Sequence, residues 1–156
     1  MKKLLVLFLL VPFLSSAQLE ESLKVKVGIL KSFVEKGEEG EQSYWKTKGK
    51  VTNTIVNYTD EQNPKFKALF IAQYKEVIPV FNEMSKGNGE DFTHALLKIL
   101  VRQEEDYRNL LTPQQLQLYK AKLTELEDTN PKLAASYYSL FFSDRLLTLY
   151  KFKFKL

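Results

Sequence analysis

Three times in this chain a capping residue is followed directly by proline, at Asn63-Pro64, Thr112-Pro113 and Asn130-Pro131, each at the head of a helically spaced apolar stretch. Proline lacks an N–H and has a fixed φ, which suits the first helical position and disfavours the interior. The repeated pair therefore predicts helix starts and an all-α chain. Leu19, Leu23, Val27, Leu30 and Val34 predict a first helix, stopped by Gly37. Phe66, Phe70, Val77, Phe81 and Met84 mark the helix opening at Asn63-Pro64, which Pro79 should kink and Gly87-Asn88-Gly89 should end. A further helix is expected from near Asp91, through Phe92, Leu96, Ile99, Leu100, Tyr107 and Leu110, to Leu111. The next starts at Thr112-Pro113 with Leu116, Tyr119, Leu123 and Leu126. The last starts at Asn130-Pro131 with Leu133, Tyr137, Leu140, Phe141, Leu147 and Tyr150. Residues 38–63 break the pattern: they are polar, hold Gly40 and Gly49, and carry a β-branched patch at Val51, Thr52, Thr54, Ile55 and Val56. That region reads as a loop, a short strand or an irregular helix. The expected fold is four or five amphipathic helices, as a bundle or an elongated hairpin or cradle.

Lys2 and Lys3, the apolar run Leu4 to Leu14 broken by Pro12, and small Ser15-Ser16-Ala17 together have the form of an export signal cleaved after Ala17. A periplasmic or secreted protein is expected, with residues 18–156 as a single helical domain. The apolar run is too short to cross a hydrocarbon core about 30 Å thick, and no later one is longer, so no integral membrane segment is expected after cleavage. There is no cysteine, which excludes disulfides, thiolate metal sites, cysteine nucleophiles and a lipidated cysteine. The net charge of +4 is mild, and the basic residues are twenty lysines against three arginines, Arg102, Arg108 and Arg145. Base and phosphate readers favour the guanidinium fork, so no nucleic-acid partner is expected.

The sharpest local signal is Leu111-Thr112-Pro113-Gln114-Gln115-Leu116. Thr112 suits an N-cap and Pro113 the first helical position. Gln115 can return a hydrogen bond to the Thr112 N–H, and Leu111 and Leu116 are spaced for a hydrophobic staple. The segment predicts a fixed corner between two helices. These residues also match the L-T-x-x-Q motif, and the chain here resembles the small helical periplasmic proteins related to Spy and CpxP. A degenerate first copy stands at Tyr58-Thr59-Asp60-Glu61-Gln62, with tyrosine for leucine. The resemblance runs from Tyr58 to about Leu126. It implies a cradle-shaped helical protein, often a homodimer, that binds unfolded clients without ATP or acts as an adaptor in envelope-stress sensing.

No assembled catalytic site is visible, so neither an enzyme nor a cofactor is expected. His94 is the only histidine. With Asp91 it has the spacing of a metal pair, but no second imidazole or thiolate completes a shell. Glu104-Glu105-Asp106 point different ways around a helix, and Glu104 with Arg108 fits an ordinary solvated i,i+4 ion pair. Glu38-Glu39-Gly40-Glu41 lacks the frame of a calcium loop. Two aromatic and basic stretches are candidate partner-binding surfaces: Tyr44 and Trp45 with Lys46, and Lys151, Phe152, Lys153 and Phe154, whose alternation does not fit a helical face. The reading preferred for Trp45 is a cap of the core, and for the C-terminal stretch a frayed helix end. The aromatic content of 13% predicts more apolar surface than one interior needs, with the surplus meeting unfolded or envelope proteins. The alternative is a bundle with a pocket for a lipid, haem or peptide, with Pro79 and Met84 as natural places for the cavity.

Overall fold

The computed structural model describes residues 11–87 and 89–156, with the backbone course alone at 11–18 and 89–91. Lys2, Lys3 and most of the apolar run of the expected export signal lie outside the described residues, as do Asn88 and the side chain of Asp91. Among the described residues seven α-helices follow in order: α1 Val11–Val34, α2 Gly37–Val56, α3 Gln62–Met84, α4 Gly89–Asn109, α5 Pro113–Thr129, α6 Pro131–Ala134 and α7 Asp144–Phe154. A 3-10 turn, Tyr137–Leu140, separates α6 from α7. No strand occurs among the described residues. The all-α class holds, with more helices than expected. No helix among them is long and apolar enough to cross a membrane.

The undecided region 38–63 is mostly the central helix of the fold. α2 packs against α1, α3 and α5, and its buried face is Gly40, Tyr44, Lys48, Thr52 and Val56, each four residues from the next. The spacing is helical, but a glycine, a lysine and a threonine hide it from an apolar pattern. Each has a partner or a purpose. A Cβ at Gly40 would lie 1.8 Å from the Phe33 carbonyl oxygen, so glycine there lets α1 and α2 meet backbone to backbone. The Thr52 hydroxyl donates to the Lys48 carbonyl at 2.7 Å. Lys48 Nζ donates to Gln73 Oε1 at 2.8 Å and lies over the rings of Tyr44, Phe70 and Phe141 at 5.3, 5.0 and 5.3 Å.

The start of α3 is also corrected. The Asn63 N–H donates to the Thr59 carbonyl at 3.1 Å, so Thr59 sets the turn and Asn63-Pro64 fall within the first turn of the helix. α3 then continues past Pro79, which faces solvent, to Met84.

The single helix expected from Asn130-Pro131 is broken. Asn130 Oδ1 accepts from the Leu133 N–H at 3.1 Å but caps only one turn. Phe141 is extended, at φ −113° and ψ 166°. Consecutive side chains on extended backbone point to opposite sides, which is how Phe141 and Phe142 both become buried. The carbonyls this frees are taken by buried cations: Lys26 Nζ donates to the Ser139 carbonyl and, at 3.0 Å, to that of Phe141. Arg108 Nη2 donates to the Phe142 carbonyl at 2.5 Å. Ser143 Oγ then accepts from the Leu146 N–H at 3.1 Å and starts α7.

The core is one cluster drawing on every helix except α6. Six of the eight tyrosines, Tyr44, Tyr58, Tyr74, Tyr107, Tyr119 and Tyr150, are inside it with Phe33, Phe66, Phe70, Phe81, Phe141 and Phe142. The expected surplus of rings on the surface is therefore small. The large apolar side chains exposed among the described residues are Leu110, Leu118, Leu133, Tyr137 and Phe152.

Candidate functional site

The two Thr-x-x-Gln segments form the same corner and meet. At the second, the Gln115 N–H donates to Thr112 Oγ1 at 3.3 Å and the Thr112 N–H donates to Gln115 Oε1 at 3.1 Å, the reciprocal capping box expected there. At the first, the Gln62 N–H donates to Thr59 Oγ1 at 3.3 Å and the Thr59 N–H to Gln62 Oε1 at 3.1 Å. The two glutamine amides then face each other. Gln62 Nε2 donates to Gln115 Oε1, and Gln115 Nε2 to Gln62 Oε1, both at 2.9 Å. Gln115 Nε2 also points at the carbonyls of Val56 and Asn57, at 3.4 and 3.5 Å, where α2 ends on a left-handed Asn57. One amide pair thus ties the end of α2 to the starts of α3 and α5. Pro113 takes the first helical position and is exposed; Leu111 packs on the core and Leu116 is half-buried. Tyr58, in the place of the motif's leucine, stacks on Phe66 at 4.0 Å and donates from its hydroxyl to Thr52.

Beneath the corners lies a largely buried polar network. Glu104 and Arg108 are only 4% and 8% exposed, joined by Arg108 Nε to Glu104 Oε1 at 2.8 Å, so this pair is desolvated and not the solvated pair expected. The i,i+4 spacing is as read, but α5 and the 141–144 segment cover that face. The Tyr119 hydroxyl lies 2.9 and 3.1 Å from the two Glu104 oxygens, and Arg108 Nη1 reaches Asp144 Oδ1 at 2.5 Å. Burial, reinforced by the Glu104 charge, pushes the Tyr119 phenol well above its ordinary range. Burial pulls the Lys48 ammonium down to about 8, against the opposing pull of Glu104. The Gln73 amide donates to the Gln103 carbonyl at 2.9 Å, and the Gln103 amide returns a bond to the Gln73 carbonyl at 3.0 Å. These groups bond to one another, so the network holds its charges in place, while Gln103 Oε1 is buried without a hydrogen-bond partner.

The other expected site residues scatter. Tyr44 is 1% exposed, edge-on to Phe33 at 5.7 Å, and is core rather than contact surface. Trp45 is half-buried, with Lys67 Nζ 4.6 Å and Lys46 Nζ 5.7 Å from its ring. The C-terminal stretch is helical as far as Phe154, correcting the reading of its alternation. Lys151 pairs with Glu105, Lys153 Nζ lies 3.1 Å from Glu20 Oε1, and Phe154 stacks with Tyr150 at 6.1 Å. Phe152 alone of these rings projects, at 86% exposure. His94 is exposed, with Nε2 2.8 Å from the Phe154 carbonyl near the end of α7. Among the described residues no group of three or more His, Asp or Glu is placed to hold a metal ion.

Sequence reasoning missed Lys26. It is buried on α1, and its signal was a cation inside an apolar stripe, between Leu23 and Leu30. Comparison with protein-family models, curated proteins and solved structures finds no match to this chain.

Proposed function

We propose that this chain is an exported, non-catalytic binding protein of the cell envelope, similar in role to the Spy and CpxP group. In this reading it holds unfolded or envelope proteins without ATP, or acts as an envelope-stress adaptor. The observation that carries the proposal is the reciprocal Gln62–Gln115 pairing, which gives the resemblance two equivalent corners in place of one motif and a degenerate copy. Cleavage after Ala17 is compatible with this reading, because it leaves Leu19, whose carbonyl accepts from the Tyr150 hydroxyl at 3.1 Å, inside the mature chain. A contact surface is offered by the shallow apolar concavity of Ile55, Leu118, Ala121 and Tyr138, with Leu133 and Tyr137 also exposed. The test is aggregation of several unfolded clients at near-stoichiometric ratio and low salt. Suppression that weakens in Leu118→Glu supports the proposal; no suppression of any client rejects it.

A second reading, a carrier of a small ligand, is favoured by one observation. α1, α5 and the broken segment after α5 surround a half-enclosed, mainly apolar cavity of about 230 Å³. It lies away from Pro79 and Met84, where the sequence suggested one. Native mass spectrometry of protein purified without detergent tests this reading by the presence or absence of a retained mass.

A further inference from the structure

We propose that the cavity beside α1 binds a small amphiphile bearing a carboxylate, with its apolar tail against Leu123, Leu126, Phe141 and Leu146 and its carboxylate at Lys26 Nζ. This rests on the small-ligand reading and names the ligand's chemistry.

Lys26 lines the cavity and is 1% exposed. Among the described residues its direct contacts are dipoles and a ring: the Ser139 and Phe141 carbonyls, Ser22 Oγ at 3.4 Å, and the Phe142 ring face at 4.6 Å. No carboxylate among the described residues lies within ion-pair distance of it. A buried charge is costly unless matched by an opposite one, so the site lacks the counter-ion a carboxylate would supply. Burial pulls Lys26 down to about 8, and the pull of the more distant Glu104 and Glu127 only partly opposes this. The Ser22 contact is the longest of the three hydrogen bonds and the easiest to exchange for a ligand oxygen.

A second polar atom points to the same ligand. Ser139 belongs to the cavity lining, and its Oγ is buried with no hydrogen-bond partner. Such an orphaned hydroxyl can donate to the second carboxylate oxygen. The acids of the lining do not offer an equivalent site for an amine. Glu127 already accepts from Ser143 Oγ at 2.6 Å and pairs with Arg145 at 3.3 Å, while Glu21 is exposed. At about 230 Å³ the cavity is far larger than the space one water needs and admits a short acyl chain.

The experiment is titration calorimetry of the full chain with octanoate, methyl octanoate and octylamine. Octanoate is expected to bind at least about tenfold tighter than the ester or the amine. Lys26→Met should erase that preference while leaving the ester's affinity within about twofold. Ala134→Phe, which fills the cavity from a partly exposed wall, should abolish binding of all three and keeps the test decisive if Lys26→Met does not fold. Equal or tighter binding of the ester or amine to the wild-type chain overturns the carboxylate assignment and leaves the small-ligand reading standing. Binding of none overturns both.

Discussion

Arg108 shows how little a residue's spacing says about its cost. The chain places Arg102 and Arg108 on the same helix; Arg102 pairs with Glu76 at the surface and Arg108 with Glu104 in the core. Removing one member of a buried pair leaves the other charge desolvated, so Arg108→Ala is expected to cost about 3–5 kcal/mol in urea unfolding. Arg102→Ala should cost about 1 kcal/mol or less, because water solvates both ends of that pair when it is broken. Equal losses would show that Glu104 is not buried as described. The i,i+4 relation of Glu104 and Arg108 was legible in the sequence; their burial was not, since it depends on Phe142, Tyr119 and Asp144 arriving from distant parts of the chain. For Lys26 the place within an apolar stripe was legible but its partners were not, being the carbonyls of a helix break far along the chain.

At the scale of elements, the corners could be read and the central helix could not. Thr112, Pro113 and Gln115 act on neighbours three residues away or fewer, so their capping box follows from local sequence alone. Thr112→Ala is accordingly expected to lower stability by about 1 kcal/mol, measured by thermal melting. α2 hides its helical period behind Gly40, Lys48 and Thr52, which serve a backbone approach, a ring cage and a helix-internal hydrogen bond in place of apolar packing. Two glycines of this helix separate packing from propensity. Gly40→Ala drives a methyl group into the Phe33 carbonyl and should cost about 1–3 kcal/mol. Gly49→Ala meets nothing within 4 Å and should gain up to about 1 kcal/mol. A neutral Gly40→Ala would contradict the close approach of α1 and α2.

For the whole molecule, the buried titrating groups set a pH profile. Lys26 and Lys48 are held down to about 8, while an unfolded lysine titrates near about 10.4. Between these values the unfolded chain binds more protons, so stability rises with pH from about 8 towards about 10. Above about 10 the unfolded tyrosines ionise, whereas Tyr58 and Tyr150, pushed up to about 12 chiefly by burial, stay protonated in the fold, and stability falls. The urea midpoint should therefore peak near pH 10; a midpoint falling steadily from pH 7 upward would contradict the burial of the two lysines. What joins these parts is the meeting of two corners 53 residues apart, which local sequence could not foretell even though both motifs were visible. Urea unfolding of Gln62→Ala, Gln115→Ala and the double variant tests that union most directly. Coupling of about 1 kcal/mol, with the double variant losing less than the two single losses together, is predicted; losses that add to within about 0.3 kcal/mol would contradict it.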